Sequence, residues 1–478
     1  MQLKPFCLVI LCLISSLVYS QKYGHQWHFG NQAGIDFKGC EATAITTSAI
    51  NGFEGCAAIS DSAGDLLFYT NSDQVWNKQN VVMSNGNLIS SNGTLSQVLI
   101  IPKPGTTTIF YIITTKIQAS GGLTMQYHVV DMQFNMGLGE VISKNNVITT
   151  WNITEQVAAT WNSNGTDIWI MTHEYGTNNF LAFALTSAGI STTPVISSIG
   201  PTHISCTSNI NARGEIKFSP DGSKIAFNGN GVGTNNLSNI LSLFDFDNTT
   251  GIVSNEIALP YCNGEFGLSF SPDNSKLYGS TWKAFAFGAG QFNYLYQFDL
   301  SLGNPAAIIN SKTIIDSVSS NSIYGSLKIG PDGRIYVARA NSAYLGVIYS
   351  PNLAGVGCGY VSNGFYLNGK TSTYGLNNYI EYQSNCSSTT DISSIANDEV
   401  VQLYPNPFSD QLLIHSNRVF DKAKMIVYDA IGKNVFQMDG QSGNEIVFDR
   451  GTILSGFYYL QIIENGKELV RTKIIIAD

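Results

Sequence analysis

Five side chains able to bind a polar ligand stand at nearly constant distances before a turn that recurs along the chain. They are Glu54, Glu155, Arg213, Glu265 and Tyr324. The first two precede their turn residue by ten positions and the other three by nine. If the turns occupy equivalent places in a ring of sheets, these residues surround one mouth of a central channel. Such a mouth could hold a cation, a sugar or a peptide, or its charges could neutralise one another in a hydrated channel.

Signatures of hydrolytic chemistry are missing from the sequence. It contains no Gly-x-Ser-x-Gly elbow and no His-Glu-x-x-His pair. The glycine-rich stretch 229–233 lacks the lysine of a phosphate-binding loop, which favours a surface loop. His28 lies in a predicted strand and His173 directly follows one. We expect each to hydrogen-bond a neighbouring strand or loop rather than to titrate in a site. No cofactor is predicted, apart from the cation that the channel mouth could hold.

The recurring turn is clearest in the segment Ser219-Pro220-Asp221-Gly222, which lies between two apolar stretches. Related segments surround Asn274, 52 positions after Gly222, and Gly333, 59 positions after Asn274. Proline sets the first torsion of the turn, aspartate bonds its own backbone, and glycine or asparagine accepts the left-handed torsion that closes it. Alternating apolar and polar residues on both sides indicate a strand, a tight turn and a second strand.

Weaker copies of the hairpin precede these three, with turn residues Gly64, Gly105 and Gly165. The six turns are spaced by 41, 60, 57, 52 and 59 residues, which is enough for one four-stranded antiparallel sheet each. This spacing is typical of β-propeller blades. Joining the strands near 26–37 to a last strand at 378–382 would make a shared seventh blade and remove the exposed edges. The sequence therefore predicts an all-β seven-bladed β-propeller.

Composition and length suggest two exported domains. The net charge of −9 excludes a nucleic-acid partner, because phosphate binding needs clustered lysine and arginine. Residues 1–20 have the pattern of a signal peptide, and no other stretch is long enough to span a membrane. We expect the propeller at 22–386 and a polar linker at 387–399. Short strands separated by turns predict a small β-sandwich at 400–478.

Removal of the signal peptide would leave six cysteines, which are disulfide candidates in an exported chain. They are Cys40, Cys56, Cys206, Cys262, Cys358 and Cys386. Fifteen pairings are open to them, and pairing each cysteine with its neighbour in sequence would close three local loops. Some of them could instead be buried free thiols.

The C-terminal region carries several motifs in order. They include Tyr404, Pro405, Asn406 and Pro407 at its start, and Gly456 and Tyr458 near its end. These motifs strongly resemble the type A sorting domain of the type IX secretion system, over residues 400–478. The resemblance implies an immunoglobulin-like fold, recognition by the outer-membrane translocon and removal by a sortase that attaches the cargo to the surface. It also implies a Bacteroidetes-type exporter and a location at or beyond the cell surface.

The hairpin repeat resembles that of WD-repeat-like and TolB-like propellers. Segments 27–34, 67–71, 75–77 and 130–132 look like a group of exported Bacteroidetes propellers that carry the same tail. We therefore expect a cell-surface or extracellular binding module with an unidentified glycan or protein ligand. A polysaccharide hydrolase or lyase that uses the channel-mouth carboxylates is the first alternative. A structural component of surface adhesion or gliding is the second.

Overall fold

The computed structural model describes the chain in thirteen stretches. They are residues 22–88, 97–117, 122–202, 214–229, 240–260, 265–282, 292–319, 322–381, 401–404, 406, 408–429, 433–464 and 467–477. The predicted signal peptide and linker lie outside them. The chain divides into two compact units, with the boundary between Cys386 and Ser387. Strands dominate both units, and the α-helix Pro305–Asn310 (α1) lies in the first.

The first unit begins with a three-stranded antiparallel sheet. Its strands are β1 (Gln26–Phe29), β2 (Ala33–Asp36) and β3 (Thr43–Ile45). Two groups of four antiparallel strands follow, joined by a single parallel bridge between Ser84 and Glu140. They are β4 (Ala57–Ser60), β5 (Leu66–Thr70), β6 (Gln74–Asn77) and β7 (Val82–Asn87), then β8 (Leu99–Pro102), β9 (Ile109–Ile117), β10 (Leu123–Asp131) and β11 (Glu140–Ile153).

Four further antiparallel sheets complete the first unit. The first two contain β12 (Ala158–Trp161), β13 (Ile168–His173), β14 (Asn179–Thr186), β15 (Gly189–Ile190) and β16 (Val195–Ser198), then β17 (Ile216–Phe218), β18 (Lys224–Gly229), β19 (Ile240–Asp247) and β20 (Ile252–Ala258). The last two contain β21 (Glu265–Phe270), β22 (Lys276–Thr281), β23 (Phe292–Asp299) and β24 (Thr313–Ser319), then β25 (Tyr324–Ile329), β26 (Ile335–Arg339), β27 (Tyr344–Ile348) and β28 (Tyr360–Tyr366).

The predicted hairpins are confirmed at all six turns, where the first two strands of each sheet pair antiparallel. The six turn residues have backbone φ angles between 63° and 88°. Glycine tolerates this left-handed conformation because it lacks a Cβ atom, and asparagine is among the few other residues that adopt it readily. Local turn chemistry therefore sets where each sheet begins.

Apolar side chains connect each sheet to the next. Five hydrophobic clusters fill successive gaps from β4–β7 to β25–β28. A sixth contains residues of β25–β28, β1–β3 and β4–β7, so the last sheet also packs on the first. In that cluster the rings of Trp27 and Tyr336 meet edge to face, with centroids 5.5 Å apart. The arrangement is propeller-like, since consecutive sheets pack face to face and the series returns to its start.

Residues 371–381, here the closing segment, connect the end of this series to its beginning. The Tyr374 N–H donates to the Phe53 carbonyl, and the Tyr374 carbonyl accepts from Ser326 N–H. The Asn378 N–H donates to the Cys56 carbonyl. A strand was predicted at 378–382, but residues 378–381 form none, and the backbone pairing with the first sheet is a single bridge between Asn31 and Thr371. The segment instead runs between the first strands of several sheets.

Two of the neighbour-in-sequence disulfide pairings are wrong. Cys56 and Cys358 are both free and buried, so neither the Cys40–Cys56 nor the Cys358–Cys386 bond forms. Cys40 is disulfide-bonded, and its partner is neither of these two. The remaining candidates, Cys206, Cys262 and Cys386, lie outside the described residues. Burial explains the two free thiols, because a cysteine in an apolar core behaves as a small hydrophobic residue.

The second unit is a separate β-structure with its own hydrophobic core. Its strands are β29 (Val401–Tyr404), β30 (Gln411–Tyr428), β31 (Asn434–Asp449), β32 (Gly456–Glu464) and β33 (Lys467–Ile476). They pair in the order β29-β30-β32-β33, with β31 also on β30. Strand β30 joins two strands predicted at 412–414 and 425–429, and its pairing with β31 shifts register between His415 and Phe420.

Candidate functional site

The structure describes the side chains of three of the five predicted channel-mouth residues, Glu54, Glu155 and Tyr324, and these three do not line one cavity. A site formed by all five stays a prediction. Glu54 lines a small cavity between the first strands of the sheets, and Glu155 is buried just before β12 without lining that cavity. The Tyr324 hydroxyl donates at 2.7 Å to the Asp316 carboxylate, which lies on β24 of the preceding sheet. Glu265 begins β21, where its backbone pairs with Thr281. Arg213 lies outside the described residues.

The cavity beside Glu54, here the central cavity, is almost filled. Its volume is about 20 Å³, which is close to the minimum that holds one water molecule. It is lined by Glu54, Gly55, Cys56, Gln97, Val98, Glu215, Lys217, Ser326, Lys328, Leu376 and Asn378. Its residues come from four different sheets and from the closing segment. The cavity is therefore too small for a sugar or a peptide.

The Glu215 carboxylate is buried and fully engaged at the central cavity. It accepts hydrogen bonds from the Ser326 hydroxyl at 2.5 Å and from Leu268 N–H at 2.8 Å. The Lys217 ammonium lies 3.5 Å from the same carboxylate. A buried charge is tolerated when it is paired and hydrogen-bonded in this way. Glu215 thus links β17, β21 and β25.

Lys328 fixes the closing segment. Its ammonium forms an ion pair with Glu381 at 3.0 Å and donates to Asn378 Oδ1 and the Tyr379 carbonyl. Both charged side chains are at most 5% exposed. Burial lowers the pKa of Lys328 to about 8, and the neighbouring Glu381 carboxylate opposes that shift. The sequence held a signal for this role, because Lys217 and Lys328 occupy the same position between two apolar residues of the repeat.

The two histidines considered in the sequence act as predicted, by supporting neighbouring chain. His28 is buried, hydrogen-bonded through Nδ1 to Ser48 Oγ at 2.8 Å, and stacked on Tyr69. Burial lowers the pKa of His28 to about 3, so it is neutral at physiological pH. His173 is also buried, and its ring stacks on Phe227.

A larger opening, here the amide cleft, lies where β1–β3, β4–β7 and the closing segment meet. Its volume is about 600 Å³, within the range of small-molecule sites. It is lined by Asn31, Asn51, Phe53, Asn71, Asp73, Gln74, Asn87, Leu88 and Thr373. Five of these nine residues carry a side-chain amide. Sequence reasoning missed the cleft, although Asn31 and Asn71 lie in segments that resemble exported propellers.

The turn between β5 and β6 shapes one wall of the amide cleft. Asn71 Oδ1 accepts from the N–H groups of Asp73 and Gln74, and Asn71 Nδ2 donates to the Asn51 carbonyl. Ser72 has a φ of 78°, an uncommon left-handed conformation for a residue other than glycine. Such conformations persist when surrounding contacts impose them, and they are frequent at binding sites. The turn therefore holds Asp73 in a fixed place.

Among the described residues that line the amide cleft, Asp73 has the only charged side chain. No described residue hydrogen-bonds or pairs with its carboxylate. Partial burial raises its pKa above the ordinary value of aspartate. A partly desolvated carboxylate without a protein partner is a group that a ligand could satisfy.

A row of aromatic rings borders the amide cleft. Phe53 lines it and is 40% exposed. Its ring contacts Tyr374 with centroids 4.6 Å apart, and Tyr374 in turn stacks on Trp282 at 4.6 Å. Residues 283–291, which follow Trp282, lie outside the described part. Contact with Tyr374, which itself stacks on Trp282, therefore supports the exposed Phe53 ring.

The motif residues of the second unit connect its first and last strands. Asn406 Nδ2 donates to the Lys473 carbonyl, and Asn406 Oδ1 accepts from Ile475 N–H. The Tyr458 hydroxyl donates to the Leu454 carbonyl. Pro405 and Pro407 lie outside the described residues.

Residues 402–477 match the family described as the secretion system C-terminal sorting domain. The second unit is a sorting domain. It marks the chain for the type IX secretion machinery, and the protein is secreted to the cell surface or the extracellular space. No helix among the described residues is long and apolar enough to cross a membrane.

Several solved structures are distantly similar to this chain. Dihydro-heme d1 dehydrogenase NirN is 10% identical, with a TM-score of 0.38 over 71% of this chain and 72% of its own. Regucalcin, a calcium-binding protein from Agrobacterium tumefaciens, is 13% identical, with a TM-score of 0.33 and coverages of 68% and 93%. A protein of unknown function from Bacteroides caccae is 11% identical, with a TM-score of 0.29 and coverages of 71% and 98%. No curated protein matches the chain.

These similarities are too low to assign an activity or a ligand, so function has to be inferred from the chain's own residues. Within the described stretches, no group of three or more histidine, cysteine, aspartate or glutamate side chains could hold a metal ion.

Proposed function

We propose that the protein is an exported binding module that captures a polar ligand in the amide cleft of its first unit. The observation that carries this proposal is a cleft of about 600 Å³ with five amide residues and one carboxylate that lacks a described partner. Ligand sites are concave and place a few polar groups in fixed positions. The central cavity, at about 20 Å³, leaves no comparable space.

We propose that the first unit is a seven-bladed propeller and that the sorting domain is an immunoglobulin-like sandwich. Six groups of four or five strands, together with β1–β3, support the count of seven. Recognition of the sorting domain by the translocon, followed by sortase cleavage, would then present the amide cleft outside the cell. The match at 402–477 supports this route.

Binding is favoured over glycoside hydrolysis by the number of carboxylates in the cleft. Glycosidases generally need two, one as acid and the other as base or nucleophile. Among the described lining residues, Asp73 alone has one. Glu54 and Glu155, two of the glutamates considered for such chemistry, are not among the described residues that line this cleft. A role in surface adhesion is compatible with binding, since an adhesin also needs a ligand site.

The proposal is tested with purified protein on glycan and peptide arrays, beside the double variant Asn51→Ala/Gln74→Ala. We expect the protein to bind members of one array and the variant to lose that binding while it keeps the same unfolding transition. A variant with substitutions at two exposed sites of the first unit outside the cleft, Gln133→Ala/Asn310→Ala, is the matched control. Ligand binding that survives in the cleft variant would overturn the proposal.

A further inference from the structure

Several polar groups of the amide cleft remain available to a ligand. The Asn51 side chain makes no hydrogen bond with the described residues. Gln74 Nε2 donates to Asn87 Oδ1 at 3.2 Å, which leaves Gln74 Oε1 and Asn87 Nδ2 unused within the described part. The cleft thus offers amide donors and acceptors side by side. Sugar hydroxyls both donate and accept, so such a mixed set suits them better than a row of lysines, which only donate.

These groups are fixed before any ligand arrives. Asn71 uses three side-chain hydrogen bonds to hold the β5–β6 turn. Asn31 Nδ2 donates to Thr371 Oγ1 at 2.9 Å, and Thr373 Oγ1 donates to the Gly52 carbonyl at 2.7 Å. A rigid set of polar groups binds a weak ligand well, because little ordering of the protein is needed on association.

The exposed face of Phe53 adds an apolar surface beside these groups. Its ring is supported by Tyr374 and, behind that, by Trp282. A pyranose ring has polar edges and apolar C–H faces. Amides at the edge together with an aromatic ring at the face match both parts of such a ligand. An extended peptide would use the amides but has no regular need for the ring.

Charge narrows the class of saccharide further. Among the described residues that line the cleft, Asp73 alone has a charged side chain, and none of them is a lysine or an arginine. A uronate or sulfate group brought into the cleft would face this carboxylate, and the Lys144 ammonium, which donates to the Asn87 carbonyl at 3.1 Å, is not among the described lining residues. Placing like charges together is a common way of excluding the wrong ligand.

From these observations we infer that the amide cleft binds an uncharged saccharide, with Phe53 stacking on a sugar face and Asp73 accepting from its hydroxyls. This inference rests on the proposed function and adds the chemical class of the ligand. It excludes acidic polysaccharides as principal ligands.

The test uses isothermal titration calorimetry of the purified protein against defined hexasaccharides. Cellohexaose, xylohexaose, mannohexaose and laminarihexaose represent neutral chains, and hexagalacturonate represents acidic ones. We expect at least one neutral chain to bind at least tenfold more tightly than hexagalacturonate. Phe53→Ala should weaken that binding at least tenfold, and Phe134→Ala, which removes a similarly exposed ring outside the cleft, should leave it unchanged.

The variant Asp73→Asn tests whether the charge of Asp73 determines the preference for uncharged saccharides. The variant keeps an acceptor oxygen but removes the negative charge, so the preference for neutral over acidic chains should shrink at least threefold. Tighter binding of hexagalacturonate by the unaltered protein, or no binding of any neutral chain, would overturn the inference. Peptide binding that Asn51→Ala/Gln74→Ala abolishes would overturn it while sustaining the proposed function. Binding that this double variant leaves unchanged would overturn both the inference and the proposed function.

Discussion

The central cavity and the amide cleft differ in charge, burial and space. The first is lined by two lysines and two glutamates, has a volume of about 20 Å³, and has its Glu215 and Lys328 side chains paired. The second is lined mainly by neutral amides, has a volume of about 600 Å³, and its one carboxylate has no described partner. Buried charged side chains such as Glu215 and Lys328 therefore stabilise the first unit, whereas mainly neutral amide side chains line the amide cleft.

The neighbours Phe53 and Glu54 show the contrast most directly. Phe53 lines the amide cleft, and Glu54 lines the central cavity. These adjacent residues thus differ in role, because a ligand could contact Phe53 whereas Glu54 belongs to the small central cavity. Variants on the two sides of this boundary should affect different properties.

The largest effect is expected at Lys328. Lys328→Met leaves Glu381 as an uncompensated buried carboxylate, so the free energy of unfolding should fall by about 3–5 kcal/mol. Denaturant unfolding of the purified protein measures the loss. The double variant Lys328→Met/Glu381→Leu removes both charges and should recover most of it.

Lys38→Met provides the matched control for Lys328. Lys38 pairs with Asp65, but both side chains are about half exposed. Solvent screens such a pair, so the substitution should leave the unfolding transition unchanged. If Lys328→Met, like Lys38→Met, left the unfolding transition unchanged, the charges at the central cavity would not stabilise the first unit.

The reactivity of Cys56 toward a thiol reagent tests how accessible the central cavity is. Cys56 lines the central cavity, and burial raises its pKa to about 12. At pH 8 its thiolate is about a thousandfold scarcer than that of an ordinary cysteine. Iodoacetamide should therefore label Cys56 in denaturant without reductant but not in the native protein, as judged by mass spectrometry. Absence of label in denaturant would instead indicate that Cys56 is in a disulfide.

Much of the fold was predictable because it depends on local chemistry. A glycine or asparagine in the left-handed conformation ends each first strand, and this requirement is visible in a single hairpin such as the one at Gly222. The motifs of the sorting domain were equally local. The motif at 404–407 is visible in four consecutive residues, although the hydrogen bonds of its Asn406 reach across to Lys473 and Ile475.

The candidate site was not predictable by counting back from the turns. The pairing of β21 with β22 shifts register between Glu265 and Leu268, and that of β25 with β26 shifts between Tyr324 and Leu327. The pairings of β12 with β13 and of β17 with β18 have no such shift over their described registers, so equal sequence offsets do not mean equal backbone positions in all sheets. The amide cleft combines residues as far apart as Asn31 and Thr373, which no local pattern connects.

The smallest effect is expected at Asp73, and its sign is opposite to that at Lys328. Burial raises the folded-state pKa of Asp73, so its ionised form is disfavoured in the fold. Asp73→Asn should therefore raise the melting temperature slightly at pH 7, as is common when a binding group is removed. The difference should disappear below the unfolded-state pKa, near pH 3, where the carboxyl is protonated in both states. Scanning calorimetry at both pH values measures it, and a melting temperature lowered at pH 7 would assign Asp73 a structural role.

The central claim is that the ligand site lies in the amide cleft and not at the central cavity. Titration of one neutral hexasaccharide into the unaltered protein, Phe53→Ala and Glu54→Ala tests it most directly. We predict that Phe53→Ala lowers the affinity at least tenfold, about 1.4 kcal/mol, while Glu54→Ala changes it less than twofold. Loss of binding in Glu54→Ala with full binding in Phe53→Ala would contradict the claim and return the site to the channel mouth.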